Sequence, residues 1–223
     1  MVRGSRLLGY TGLLALAVAL AATGAAAEVL GKTTAPLDAR EVRKAECTLG
    51  NLVADAARSA VGAEAALVQA SQLRTEVIPA GEVTRESLMG ALLYPDERVV
   101  LVELSGAQIA AALERGLSML PKKPSASFLQ VSGLNVTYRS AQPAEGRVVE
   151  IRIGGAPLAA GKSYKVAMPA SLAKGALGYF RVFKELKPEQ GPSIGDAAAD
   201  YVRAIRTVSP QMGRLRDLSP PPK

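Results

Sequence analysis

The stretch TLGNLVADAARSAVGAEAALVQA constrains the fold more than any other part of this sequence. Its apolar positions Leu49, Leu52, Val53, Ala56, Ala57 and Ala60 recur at the i, i+3, i+4 spacing of a one-sided helix. Thr48 is placed to cap the start of that helix and Gly62 its end. The apolar run Ala65–Ala70 follows almost at once, bounded by turn residues, and predicts a buried strand. It opens into the polar loop that ends at Arg74.

The rest of the chain alternates in the same way. GEVTRESLMGALL enters a helix at Thr84, and Arg98–Leu104 is a continuous apolar run, the pattern of a central strand covered on both faces. Ser105 and Gln108 form a capping box ahead of the helix GAQIAAALERGLSML, which ends before Pro121 and Pro124. Three β-rich runs follow: FLQVSGLNVTYR, RVVEIRI and SYKVAMP, joined by AQPAEG and GGAPLAAGK, which carry hairpin signals. In the middle run Val149, Ile151 and Ile153 alternate with Val148, Glu150 and Arg152, so one face is expected buried and the other wet. A last helix, SIGDAAADYVRAIRT, is capped at Ser193 with Asp196 three residues on. Helices grouped first and hairpins later predict an α+β domain with a mixed β-sheet and flanking helices.

The first residues read as a leader. Arg3 and Arg6 precede the apolar run Leu13–Ala22, and Ala25 and Ala27 supply small residues in an A-x-A arrangement, the pattern of a secretory signal peptide over residues 1–27. The run is shorter than the ~20 residues of a membrane span; retention of the leader as an anchor is the alternative. No Cys follows the small residues and the two arginines are not adjacent, which argues against lipid attachment and a twin-arginine route. The expected organisation is a leader (1–27), one domain (28–208) and a Pro-rich, partly disordered tail (209–223), in a periplasmic or secreted protein without a stable membrane anchor after cleavage.

Composition then removes whole classes of chemistry. The chain has no histidine, which excludes a Ser or Cys triad with a His base and any His-bearing zinc or dinuclear centre. Its one cysteine, Cys47, can form no internal disulfide and reads as a small buried side chain ahead of a helix. The formal charge of +7 is interleaved along the chain and aromatics are only 4%, so no nucleic-acid groove is expected. No catalytic residue, metal ligand or cofactor motif stands out.

In order along the chain, LGKTTAPLD, LGNLVADA, VELSGAQIAAALE, FLQVSGLNVTY, GGAPLAAGKSYKVA, GYFRVF and IGDAAADYVRAI make this sequence resemble the C-terminal domain of 5'-nucleotidases, the family that includes UDP-sugar hydrolases. The resemblance implies that domain's α+β fold and a family-level link to nucleotide catabolism. In that family a separate metallophosphatase domain binds two metal ions through Asp, Asn and His. The C-terminal domain supplies the nucleoside pocket. Chemistry is therefore expected on another polypeptide segment.

The resemblance also places a pocket. The family loop Asn-Gly-Gly-Gly-Ile-Arg corresponds to Gln69-Ala70-Ser71-Gln72-Leu73-Arg74, which keeps only the Arg. A Pro-Phe stacking pair corresponds to Tyr94-Pro95. A Gly-Gly-Asp-Gly-aromatic loop, implied to give a second ring and a ribose-binding carboxylate, corresponds to Gly175-Ala176-Leu177-Gly178-Tyr179, without the carboxylate. Gln69, Arg74, Tyr94, Gly178 and Tyr179 are thus the candidate residues of an eroded pocket, suited to a small anionic or aromatic ligand. Two functions stay open: an exported non-catalytic binding or interaction module, or the substrate-binding half of a split metallophosphatase whose catalytic domain is a separately encoded partner.

Overall fold

The long apolar runs become strands because each is covered on two sides. In the computed structural model, which describes residues 27–220, the chain opens with β1 (Val29–Thr33), β2 (Leu37–Asp38), α1 (Thr48–Ala60) and β3 (Ala65–Gln69). It continues through β4 (Val77–Ile78), β5 (Gly81–Thr84), α2 (Arg85–Ala91), β6 (Arg98–Ser105) and α3 (Gly106–Leu117). Next come β7 (Leu129–Ser132), β8 (Leu134–Tyr138), β9 (Val148–Ile153), β10 (Ala156–Pro157), β11 (Ser163–Pro169) and the short α4 (Ala170–Ala173). The last elements are β12 (Glu189–Ser193), α5 (Ile194–Ile205), β13 (Thr207–Val208) and β14 (Leu215–Asp217).

The central sheet has the order β12-β6-β11-β3-β7 and is mixed: β11 runs parallel to β3 and antiparallel to β6. Its two faces carry separate cores. Ala66, Val68, Val99 and Ala167 face α1, α2 and α5, whereas Ala65, Leu67, Val100, Val102 and Met168 face α3 and the second sheet. This two-sided burial explains why β3 is buried at every position. The second sheet, β10-β9-β8-β14, lies over the far core through Leu134, Val136, Ile151 and Ile153.

Several expectations from sequence are corrected. Helix α1 is capped by Cys47, whose Sγ accepts the N–H of Gly50 at 3.3 Å. Thr48 is inside the helix because its hydroxyl is used elsewhere, donating to the Pro36 carbonyl and accepting from Asp38 N–H. The run FLQVSGLNVTYR is two strands in two sheets, broken at Gly133. There φ is +71° and a Cβ would lie 2.2 Å from the Glu64 carbonyl oxygen, so only glycine lets the chain leave one sheet for the other. The join AQPAEG does make the β8–β9 hairpin, but GGAPLAAGK closes only the two-residue β10 onto β9; β11 departs to the centre of the other sheet. In β9 the alternation holds for Ile151 and Ile153 but not for Val149, which is 46% exposed. A register shift between Thr137 and Tyr138 turns it outward.

The segment 209–223, expected as a partly disordered tail, carries strand β14. Strand β14 pairs in parallel with β8, Leu215 opposite Val136 and Asp217 opposite Tyr138. Residues 221–223 and the leader through Ala26 lie outside the described residues. Among the described residues no helix is long and apolar enough to cross a membrane.

Candidate functional site

The loop after β3 is where the family resemblance puts a ligand, and its backbone is already occupied. The N–H groups of Ala70 and Ser71 donate to the Phe128 and Ala126 carbonyls at 2.8 and 3.2 Å. Those of Leu73 and Arg74 donate to the Ala70 and Ala91 carbonyls at 3.2 and 3.0 Å. Ala70 is fully buried, filling with a side chain what glycine would leave open. Of the loop's side chains, Arg74 is exposed, while Gln69 and Gln72 are buried.

Three segments distant in sequence do meet here. Gln69 donates its amide N–H to Ser171 Oγ at 3.0 Å. Glu97, three residues past Tyr94, accepts the Gln72 amide on Oε2 and the Ser171 backbone N–H on Oε1, the latter at 2.6 Å. The Glu97 carboxylate thus takes up the donors that an incoming anion would need. The remaining carbonyl oxygens of Gln69 and Gln72 are buried without a partner, so the unused buried side-chain atoms of this loop are acceptors, and the exposed Arg74 is its one cationic donor. Tyr94 stands outside the cluster with its ring 55% exposed.

Gly178 and Tyr179 lie beside α3, and Tyr179 reaches the 126–128 segment that accepts from the loop's Ala70 and Ser71 N–H groups. The Tyr179 ring is fully buried, stacked on Phe183 at 5.6 Å, and its hydroxyl donates to the Ser127 carbonyl. Burial pushes its phenol well above the ordinary value. It is a core ring beneath α3, where Gly116 leaves room for the hydroxyl. Gly178 packs on the guanidinium of Arg115 instead of the loop after β3. The aromatic that this segment exposes is Phe180, at 59%. Sequence reasoning missed Glu97, Gln72 and Ser171. Glu97 lies in YPDERVV, which reads as turn charges in water, and only its long-range partners distinguish it.

Among the described residues no group of three or more His, Cys, Asp or Glu side chains is placed to hold a metal ion, and the sequence has no histidine.

A mixed sheet covered on one face by α1, α2 and α5 and on the other by α3 and a second sheet defines an α+β domain. The chain belongs to the 5'-nucleotidase C-terminal domain family, whose model matches residues 25–185. It is 31% identical over 208 residues to a 5'-nucleotidase-related protein of Glossina morsitans morsitans, covering 84% of this chain and 38% of that one. It is 31% identical over 194 residues to an apyrase of Anopheles gambiae, covering 83% of this chain and 34% of the apyrase. The crystal structure of a 5'-nucleotidase precursor from Thermus thermophilus superposes with a TM-score of 0.78 at 29% identity, over 87% of this chain and 40% of that one. The chain thus spans about two fifths or less of the length of these relatives.

Proposed function

We propose that this chain is an exported, non-catalytic binding or interaction module of the 5'-nucleotidase C-terminal type, related to nucleotide catabolism through its family and not through a nucleotide site of its own. The observation that carries this reading is the position of Glu97. Its carboxylate fills the loop that would meet phosphate, and the loop's N–H groups are spent on the chain itself. A phosphate brought within about 4 Å of that carboxylate would meet repulsion of about 4 kcal/mol at an effective dielectric of 20. The leader pattern of residues 1–27 is what supports export.

A second reading is favoured by the relatives' length. They are more than twice as long as the matched region, so this module could serve as the substrate-side half of a split hydrolase, docking on a metallophosphatase half carried outside this sequence. Native mass spectrometry of protein purified from its own exported compartment separates the two by partner mass.

The direct test is enzymatic and calorimetric. The purified protein is expected to release no phosphate from AMP with added Mn²⁺, Co²⁺ or Zn²⁺, and to bind AMP at about millimolar affinity or weaker. Turnover that tracks the protein through repurification, or micromolar AMP binding abolished by Arg74→Ala, would overturn the reading.

A further inference from the structure

A cavity of about 710 Å³ opens between α3, the loop joining β8 to β9 and the 3-10 segment Ala176–Arg181. Small organic ligands occupy pockets of roughly 300–1,000 Å³. Its wall is apolar at Ala111, Val182 and the exposed ring of Phe180. Its charges are sorted by side. Glu114 and Glu145 belong to the hairpin side: Glu114 Oε1 accepts the Val148 N–H at 2.8 Å, and Oε2 is left buried without a partner. Arg115 and Arg181 belong to the opposite side. Arg115 is held there by donating to the Leu177 carbonyl at 2.5 Å and to Ser118 Oγ at 2.8 Å, and the Arg181 guanidinium lies 5.8 Å from the Phe180 ring centre.

Both lips hold uncommon backbone conformations. Glu145 and Leu177, neither of them glycine, have φ of +69° and +55°. Such residues cost about 1–3 kcal/mol each and gather at ligand sites. Next to Leu177, Gly178 has φ +87°, and a Cβ there would lie 2.8 Å from the Arg115 guanidinium. Glycine is what lets the guanidinium rest against the chain at the cavity edge.

We infer that this cavity binds a small zwitterion with an apolar body between its charged ends: a di- or tripeptide with free termini and an aromatic or aliphatic side chain. The ammonium end faces Glu145, with the negative charge of Glu114 behind it on the same side. The carboxylate end faces Arg181 and the remaining N–H groups of Arg115, and the side chain lies on Phe180. An extended dipeptide spans about 7 Å, which keeps its two charges apart with the side chain free to lie on the apolar wall. A nucleotide suits the cavity less, because its charge is all of one sign and the hairpin wall offers two carboxylates. None of these side chains belongs to the Gln69–Glu97–Ser171 cluster, so this inference and the proposed function fail separately.

The test is titration of the isotope-labelled full chain with alanylphenylalanine, by calorimetry and amide NMR, beside the N-acetylated, C-amidated and doubly blocked forms and AMP. The free dipeptide is expected to bind saturably, with shifts centred on Glu145, Arg115, Phe180 and Arg181. Each single block is expected to weaken binding about tenfold or more, the effect of one lost charge-assisted contact. Phe180→Ala and Arg181→Gln, both at exposed positions, are expected to do the same with unchanged melting temperature. The absence of saturable binding would overturn the inference. So would a doubly blocked dipeptide that binds as tightly as the free one, or AMP binding more tightly than the dipeptide and lost in Phe180→Ala.

Discussion

The hydroxyl of Tyr179 donates to the carbonyl oxygen of Ser127 at 2.6 Å, across the base of α3. The bond ties the segment after α4 to the start of β7, and the ring is wholly inside the core. Tyr179→Phe removes the donor and leaves a buried carbonyl unpaired. Its expected cost is about 1–3 kcal/mol of stability, with no change in the binding of AMP or of a small anion. Urea denaturation and calorimetry on the same variant check both halves; intact stability with altered binding would return the ring to a ligand site.

Burial also makes the fold sensitive to alkali. Desolvation raises the phenols of Tyr179 and Tyr138 and lifts the Cys47 thiol from 9.0 to about 12. All three are favoured neutral in the fold, so the unfolded chain releases their protons first. Their contribution is complete below pH 9 and is lost as pH rises through the ordinary values of 9.0 and 10.0 toward the folded ones. The urea midpoint is expected to fall steeply above pH 10, and less steeply between pH 9 and about 12 in Cys47→Ser. A parent midpoint that stays level to pH 11 would contradict this account.

Glu97 accepts from the Gln72 amide and the Ser171 N–H beside the loop after β3. Glu97→Ala leaves the Gln72 amide and the Ser171 N–H without their acceptor, at an expected cost of about 1–3 kcal/mol. It also removes the negative charge facing an incoming phosphate. Binding of inorganic phosphate, measured by calorimetry, should therefore strengthen about tenfold or more over the parent, the change that about 1.4 kcal/mol produces. Equal affinity in variant and parent would mean that the freed donors do not face a ligand.

Arg214 and Asp55 form a two-pronged pair, with contacts of 2.8 and 2.7 Å and side chains only 21% and 20% exposed. Arg214 also donates to the Val131 carbonyl at 3.0 Å, so one guanidinium fastens the segment before β14 to both α1 and β7. A double-mutant cycle over Arg214→Ala and Asp55→Ala is expected to give a coupling of about 1–3 kcal/mol, above the 0–1 kcal/mol typical of surface pairs. A coupling near zero would reduce the closing segment to a loosely held strand.

The sequence by itself determined most of the helices and strands and the caps of α2, α3 and α5. The buried apolar spacing from Leu49 to Ala57, though not to the exposed Ala60, the Ser105–Gln108 capping box and the Ser193 cap are present in the structure. So are the apolar strands β3 and β6. These features depend on residues within about a turn of one another, so a local reading reaches them. The family, too, was legible, because its motifs are short runs in a set order. What the tertiary structure decided are relations between distant segments. FLQVSGLNVTY looks continuous, yet Gly133 divides it between two sheets because the Glu64 carbonyl crowds that point. Tyr179 reads as a pocket ring until the Ser127 carbonyl and Phe183 claim it for the core. Glu97 reads as a solvated charge until Ser171 and Gln72 arrive from other parts of the chain. The partners in each case lie on different elements, and no local pattern of apolar spacing or capping specifies which of them the packed layers will bring into contact.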